Sequence, residues 1–226
     1  MKLKTSAVAL IGAALFASGI AAYAQSSSSG VYYRLDTGYS WSTDLNMQDK
    51  TFQGVICAPG CAAPGELQNG GNAWIYGLGV GYRFDRSLRA DFTLAVRNSY
   101  SVKEFDQNNS YFASDIKSWA GLVNGYFDFP IASKVSGYIG AGIGVSYNRV
   151  DGLANQTAGI AYPGGDKYDF AWNGMVGLTV PITSSVAVDV GYRYIDLGEV
   201  QTEATFGYGG AKGKLRANEL QFGLRF

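Results

Sequence analysis

The sequence predicts an all-β fold: an eight-stranded antiparallel up-and-down transmembrane β-barrel. Three observations support this prediction. Apolar and polar residues alternate with a period of two in eight separate segments. Short and long connections alternate between these segments, as they do in up-and-down membrane barrels. The composition, with 31 Gly, 16 Tyr and 12 Phe in 226 residues, suits aromatic-bearing strands and glycine-rich bends.

The first 24 residues are interpreted as a signal peptide. Two lysines precede an apolar run from residue 7 to residue 22, and Ala22-Tyr23-Ala24 has the small-x-small pattern that signal peptidases cut. A membrane anchor is the alternative, but the run is short for a spanning helix. We therefore expect a leader at 1–24 and a single outer membrane β-barrel domain at 25–226.

The first four strands follow this leader. Their apolar positions run, in order, from Val31 to Trp41 in a strand at 31–42, from Trp74 to Phe84 at 73–84 with Ile75 out of phase, from Leu88 to Val96 at 88–97, and from Trp119 to Phe129 at 116–129. The third strand has the clearest alternation, and a tight Asp85-Arg86-Ser87 turn precedes it.

The last four strands show the same pattern. Their apolar positions run from Val135 to Tyr147 in a strand at 135–148, from Tyr168 to Val180 at 167–180, from Val186 to Tyr194 at 186–195, and from Leu220 to Phe226 at 215–226. The connections at 85–87, 130–134 and 181–185 are short, whereas those at 43–72, 98–115, 149–166 and 196–214 are long. Because the strand count is even, both ends of the barrel domain fall on the short-turn rim, which is the periplasmic one.

Alternation alone does not say which face points outward, because a soluble lipocalin-like barrel alternates with the opposite polarity. Three features favour an outward apolar face: small residues crowd the polar face, the strands are long, and aromatic residues gather near both strand ends. An Arg or Lys facing lipid at the bilayer midplane costs about 2–4 kcal/mol, so the strand charges must face the lumen. The predicted lumen charge network comprises Arg34, Asp36, Arg83, Arg89, Asp91, Arg97, Asp128, Asp169, Asp189, Arg193, Glu219 and Arg225.

Several motifs resemble a known family. Leu220, Phe222, Leu224 and the terminal Phe226 resemble the C-terminal insertion signal of outer membrane barrels. The segments 191–198 (GYRYIDLG) and 124–129 (NGYFDF) resemble small alphaproteobacterial barrels of the RopB and opacity-antigen type, a porin-like group of outer membrane proteins. The resemblance implies an outer membrane location, contact with membrane lipid and lipopolysaccharide, assembly by the barrel insertion machinery, and a role in envelope integrity and host surface contact. Some members of this group bind haem.

Cys57 and Cys61 are the two cysteines of the chain, in the sequence Cys-Ala-Pro-Gly-Cys. In an exported protein we expect a disulfide, because the compartment is oxidising. A free pair of thiols and a metal site are the alternatives, but a metal site requires two further ligands, and the chain contains no His. We therefore expect no metal site and no cofactor.

No catalytic constellation is found in the sequence. Without His, a serine triad, a Cys-His pair and the commonest general base are all missing. The carboxylate pairs Asp91 with Asp128, or Asp36 with Asp189, are interpreted as structural lumen ions. The glycines at 77, 79 and 81 have strand spacing rather than that of a phosphate-binding loop. We therefore predict no enzyme activity and no catalytic residues.

The net charge and the long loops limit which partners are expected. Without the leader the chain carries 16 basic and 18 acidic residues, a net charge of −2, which offers no electrostatic footprint for nucleic acid. The predicted function is that of an outer membrane surface protein with a structural and surface-interaction role, whose long loops contact host or neighbouring molecules. Two alternatives stay open: a small porin-like channel, and a loop-borne binding protein for a ligand such as haem.

Overall fold

The chain forms a closed antiparallel β-barrel in a computed structural model, which describes residues 29–45, 48–49, 71–105, 111–155, 160–203 and 210–226. The eight barrel strands are β1 (Gly30–Asp44), β3 (Asn72–Arg83), β4 (Leu88–Phe105), β5 (Tyr111–Ala132), β6 (Val135–Asn155), β8 (Gly165–Pro181), β9 (Ala187–Gln201) and β10 (Ala211–Arg225). Two short strands, β2 (Gln48–Asp49) and β7 (Ile160–Tyr162), pair with β10 and β6. The predicted fold class is confirmed. Within the described ranges, no helix is long and apolar enough to cross a membrane.

Each barrel strand pairs with the next one in the chain, and the last pairs with the first. The seam between β1 and β10 runs from Arg34 opposite Arg225 to Asp44 opposite Arg216. Beyond it, the amide of Tyr33 donates to the carbonyl of Phe226 at 2.7 Å, and the amide of Phe226 returns a bond at 3.0 Å. The terminal residue thus takes part in the hydrogen-bonded ladder, and no sheet edge is left along this seam.

The apolar face points outward, as the alternation and the charges predicted. Large apolar side chains on the outside are half exposed, with Leu78 at 57% and Ile143 at 60%, whereas Arg97 and Glu219 inside are at most 1% exposed. This is the reverse of a soluble barrel, and it suits a bilayer that solvates the outer face. The alternative of a soluble barrel of opposite polarity is therefore wrong.

The described barrel is longer on its outer side than the sequence predicted. The predicted long loops at 98–115 and 149–166 are mostly strand, since β4 continues to Phe105, β5 begins at Tyr111 and β6 continues to Asn155. The register shifts between Arg97 and Tyr100, so both side chains point inward. Such a bulge interrupts the period of two, which is why the alternation ended too early.

A second bulge shapes the outer end of β9. Pairing between β8 and β9 stops at Trp172 opposite Asp196. Beyond that point Gly198 adopts a left-handed φ of 76°, and the amide of Glu199 donates to the Asp169 carboxylate at 2.8 Å. Side chains of β6 complete the attachment, because Asn148 donates to the carbonyl of Leu197 at 2.6 Å. The end of β9 therefore stays paired with β10 on one side, and on the β8 side it is held by side chains in place of the strand ladder.

Candidate functional site in the barrel lumen and its outer rim

Ion pairs fill the periplasmic half of the lumen. Arg34 of β1 contacts Asp36 at 2.8 Å and Asp91 of β4 at 2.9 Å. The same guanidinium donates to the Tyr126 hydroxyl at 2.7 Å, and Asn124 donates to Asp91 at 2.8 Å. The three strands that supply these groups, β1, β4 and β5, point them inward through the period-two alternation. The result is a hydrogen-bonded cluster that closes this layer around a single arginine.

A second cluster lies against the periplasmic rim. Arg89 contacts Asp128 at 3.0 Å, and Arg83, which is one-third exposed, reaches the same carboxylate at 3.8 Å. Among the described residues, the terminal nitrogens of Arg89 have no hydrogen-bond partner, and its guanidinium lies 3.8 Å from the centre of the Tyr126 ring. Such a cation–π contact partly replaces the missing hydrogen bonds. Tyr138 packs on the same guanidinium at 5.1 Å.

Three further ion pairs complete the predicted network. Arg225 lies 3.5 Å from Asp189, which also accepts a hydrogen bond from Thr179 at 2.6 Å. At mid-barrel, Glu219 lies between two arginines, with 2.7 Å to Arg97 and 2.5 Å to Arg193. These three side chains are almost completely buried. Glu219 thus neutralises two buried guanidinium groups that come from opposite walls of the barrel.

The structure brings eleven of the twelve predicted lumen charges into ion pairs, and Asp169 is the exception. The Asp169 carboxylate accepts the backbone amides of Phe170 and Glu199, both at 2.8 Å. Its inclusion in the arginine network is therefore a correction. The side chain faces the bulge of β9, where it stands in for the missing strand partner.

The outer half of the lumen contains a large apolar cluster beside buried polar side chains such as Ser118 and Asn148, and the sequence reasoning missed this cluster. Thirteen buried residues form one cluster there. They are Leu45, Ala73, Tyr100, Ile116, Ala120, Leu122, Val150, Ala171, Ile195, Leu197, Val200, Leu215 and Ala217. The available signal was a set of apolar residues on the polar face, such as Ile75, which is fully buried. We call this cluster the apolar plug.

The remaining predicted positions fall in three places. Cys57 and Cys61 lie outside the described residues, so their disulfide stays a prediction. Leu220, Phe222 and Leu224 are exposed on the lipid side of β10, while Phe226 closes the barrel seam. The carboxylates of the two candidate acid pairs each lie beside an arginine in the clusters above. No group of three or more potential metal ligands occurs in the part of the chain that the structure describes.

Charged side chains also surround the outer rim. Lys117 and Arg149 are opposite each other on β5 and β6, and both form ion pairs with Asp151. On the other wall, Glu199 forms ion pairs with Lys167 and Lys212. Hydrogen bonds from these two ammonium groups lower the pKa of Glu199 from 4.5 to about 2. The rim is thus a surface of mixed charge beyond the outer aromatic residues.

Two aromatic belts bound the lipid-facing surface between these rims. On the outer side Trp119, Tyr147 and Tyr168 are direct neighbours across three strands, and the last two rings lie 4.8 Å apart. On the periplasmic side the rings of Phe127 and Phe129 are 6.4 Å apart. Aromatic rings settle at the headgroup depth of a membrane, so the belts delimit the embedded part of the barrel.

Comparison with known proteins agrees with this geometry. The family model described as the outer membrane protein beta-barrel domain matches residues 10–226. An uncharacterized protein of Brucella abortus (strain 2308) is 31% identical over 142 residues, which are 53% of this chain and 50% of that protein. The chain therefore matches about half the length of that relative.

A further sequence relative and a solved structure are also similar to this chain. A Rickettsia prowazekii (strain Madrid E) protein named as a candidate adhesin is 26% identical over 167 residues, covering 66% of this chain and 72% of that protein. The crystal structure of neisserial surface protein A has a TM-score of 0.52 at 18% identity, over 88% of this chain and 98% of that one. The second similarity shows that the eight-stranded fold is shared.

Proposed function

The chain belongs to the family of outer membrane protein beta-barrel domains, and from this premise we propose that it is a closed surface barrel with a structural and surface-contact role and no catalysis. The observation that carries the proposal is the filling of the lumen along its length. Ion pairs occupy the periplasmic half and the apolar plug occupies the outer half. An eight-stranded barrel is barely wide enough for its own side chains, so this filling leaves little room for a water path.

The outer rim is the part of the described molecule suited to contact with other surfaces. β4, β5 and β6 continue past the outer aromatic belt and carry exposed charges there, notably Lys117 and Arg149. Function in barrels of this kind usually resides on the outer connections, which a rigid scaffold presents to the surroundings. The similarity to a candidate adhesin supports a contact role for this rim.

Absence of catalysis is part of the proposal and is supported by composition. The whole chain lacks His, and its lumen carboxylates are paired with arginines, which favours their ionised, structural state. We further propose that membrane lipid and lipopolysaccharide surround the barrel between its aromatic belts, that the insertion machinery assembles it, and that Cys57 and Cys61 form a disulfide.

Adherence of cells tests the contact role. A strain that produces the protein should attach to epithelial cells more than a deletion strain, and charge reversal of the rim by Lys117→Glu with Arg149→Glu should reduce the gain. The matched control is Lys134→Glu, which reverses an exposed charge on the periplasmic turn between β5 and β6 and should leave attachment unchanged. Equal attachment of the producing and deletion strains would exclude the contact role.

The second candidate function is a small channel, which the charged lumen favours. It differs from the closed barrel in one measurable property, the steady ionic current through a single inserted molecule.

The third candidate function is the binding of haem or another ligand by the outer loops. Since the chain has no His, iron in such a site would need a Tyr or Met ligand.

A further inference from the structure

A groove crosses the lipid-facing surface of β4, β5 and β6. Its floor is formed by Ala90, Gly125 and Ala141, which are direct neighbours because Ala90 pairs with Gly125 and Gly125 pairs with Ala141. Gly174 of β8 pairs with Ala141 and continues the same row. The groove has a volume of about 600 Å³.

Large apolar side chains border the groove on its periplasmic side. Leu88, Phe127 and Ile139 line it, and each is between 46% and 52% exposed. Elsewhere on the lipid-facing surface most outward positions carry side chains of this size. The groove is therefore a gap among the large apolar side chains of this surface, and it lies on the face that contacts membrane lipid.

Packing within the chain does not require glycine in this row. A Cβ atom added to Gly125 or to Gly174 would meet no atom within 4 Å. Glycine inside a strand costs about 0.5–1 kcal/mol relative to alanine, so its presence needs another reason. An occupant from outside the chain, which fills the space that side chains would take, supplies that reason.

The groove begins close to the periplasmic rim and ends near the middle of the barrel wall. Ala90 is three residues from Ser87 in the turn between β3 and β4, whereas Ala141 lies within β6, six residues from its start at Val135. A lipid tail follows the same course, from the headgroup level into the hydrocarbon. The rim at the start of the groove therefore marks where a headgroup would lie.

Two exposed cations stand at that rim. Arg86 is in the turn between β3 and β4, and Lys134 is in the turn between β5 and β6. The two hairpins are adjacent, because the Asp128 amide donates to the Ser87 carbonyl at 2.7 Å. A phosphate beside an apolar tail matches this combination of charge and groove, as guanidinium and ammonium groups both bind phosphate.

We propose that the groove binds one acyl chain of an inner-leaflet phospholipid whose phosphate lies against Arg86 and Lys134. A second copy of the chain fits less well, since a two-fold contact on this face would bring the rim cations of both copies together. The proposal requires only the outer membrane location, so it stands or falls separately from the surface-contact role.

Native mass spectrometry with a defined lipid tests the proposal. The protein is purified in detergent and given palmitoyl-oleoyl phosphatidylglycerol, and the lipid-bound fraction is measured. Gly125→Leu should fill the groove and lower the affinity by about fivefold or more, and Arg86→Ala with Lys134→Ala should lower it similarly. Val190→Leu adds bulk on the lipid side of β9, away from the groove, and should leave binding unchanged.

Heat-modifiable migration on a gel shows that each variant is folded, so loss of binding is not mistaken for unfolding. Equal binding by wild type, Gly125→Leu and the double variant would overturn the proposal. So would equal binding of an uncharged diacylglycerol, because the rim cations would then have no part. A dimer that is lost in Gly125→Leu, with lipid binding unchanged, would assign the groove to a second copy instead.

Discussion

Glu219 is the side chain whose loss should disturb the lumen most. It is fully buried and lies within 2.7 Å of both Arg97 and Arg193. Removing one partner of a buried ion pair leaves an uncompensated charge, which costs about 3–5 kcal/mol. We predict that Glu219→Ala lowers the free energy of unfolding by about that amount.

Urea unfolding in detergent, followed by heat-modifiable migration, measures this loss. The matched control is Glu203→Ala, an exposed acid beyond the end of β9, which should change the unfolding free energy by less than about 0.5 kcal/mol. A similar small change for Glu219→Ala would show that the two guanidinium groups do not depend on this carboxylate.

Glu199 provides a pH dependence at the outer rim. Hydrogen bonds from Lys167 and Lys212 hold its folded-state pKa at about 2, below the ordinary 4.5. Because the folded pKa is the lower one, the ion pairs stabilise the fold above pH 4.5, and this contribution is lost as the pH falls toward 2. The effect is modest, since Lys212 is about half exposed.

Comparison of wild type with Glu199→Gln across this range checks the sign. The difference between their urea midpoints should be largest above pH 4.5 and should narrow toward pH 2. A difference that stays constant over the whole range, or that grows as the pH falls, would contradict the assignment.

For single residues, the sequence predicted where the charged side chains lie but not which residues they contact. The cost of charge in lipid placed Arg34 and Glu219 in the lumen without any structure. It did not indicate that Asp169 would cap a bulge, because that contact depends on where the β8–β9 pairing ends. Partners across the barrel depend on register, which one strand alone does not reveal.

The outer end of β9 shows how one element is fixed by its bulge. Gly198 has a φ of 76°, and an added Cβ would lie 2.6 Å from the Cβ and Cγ atoms of Asp169. A side chain there is strained and also collides with the group that holds the strand. We predict that Gly198→Ala lowers the unfolding free energy by about 1–3 kcal/mol.

Gly174→Ala is the matched control for this element. It lies in a regular part of β8, and an added Cβ meets nothing within 4 Å. Urea unfolding of this variant should show unchanged or slightly higher stability, because alanine suits a strand better than glycine. Equal destabilisation by both substitutions would mean that the bulge at Gly198 has no special requirement.

Element prediction succeeded where the period of two was uninterrupted. The start of β4 at Leu88 was predicted to the residue, because a tight turn and strict alternation coincide there. The outer ends of β4 and β6 were missed, since bulges shift the inward face by one residue and make the pattern resemble a loop. Short-turn rims are thus easier to predict than bulged outer ends.

The whole molecule combines an ionic layer and an apolar layer inside one barrel. The sequence indicated a filled lumen from its twelve inward charges, but it did not reveal the apolar plug. Residues such as Ile116 and Leu215 look like ordinary strand residues until the barrel closes and places them in one cluster. Long-range pairing, which only the folded chain defines, creates this part of the lumen.

Thinning of the plug should open the outer half of the lumen. In the variant Ile116→Ala, Leu122→Ala, Leu215→Ala, three large side chains of the apolar plug are truncated. Each truncation lowers the free energy of unfolding by about 2–5 kcal/mol. The variant is therefore studied in a lipid bilayer, which stabilises the barrel. We predict that this variant passes brief, irregular currents in a planar bilayer, and a silent variant that is folded would show that the plug is not the outer barrier.

The steady ionic current of the wild-type protein in a planar bilayer tests the central claim most directly, namely that the lumen is closed by its own side chains. Protein that is folded, as judged by heat-modifiable migration, is inserted at low density and held at a fixed voltage. The closed barrel predicts no steady current above that of the bare membrane. Reproducible, long-lived current steps from the wild-type protein would contradict the closed lumen and assign the molecule to the channels.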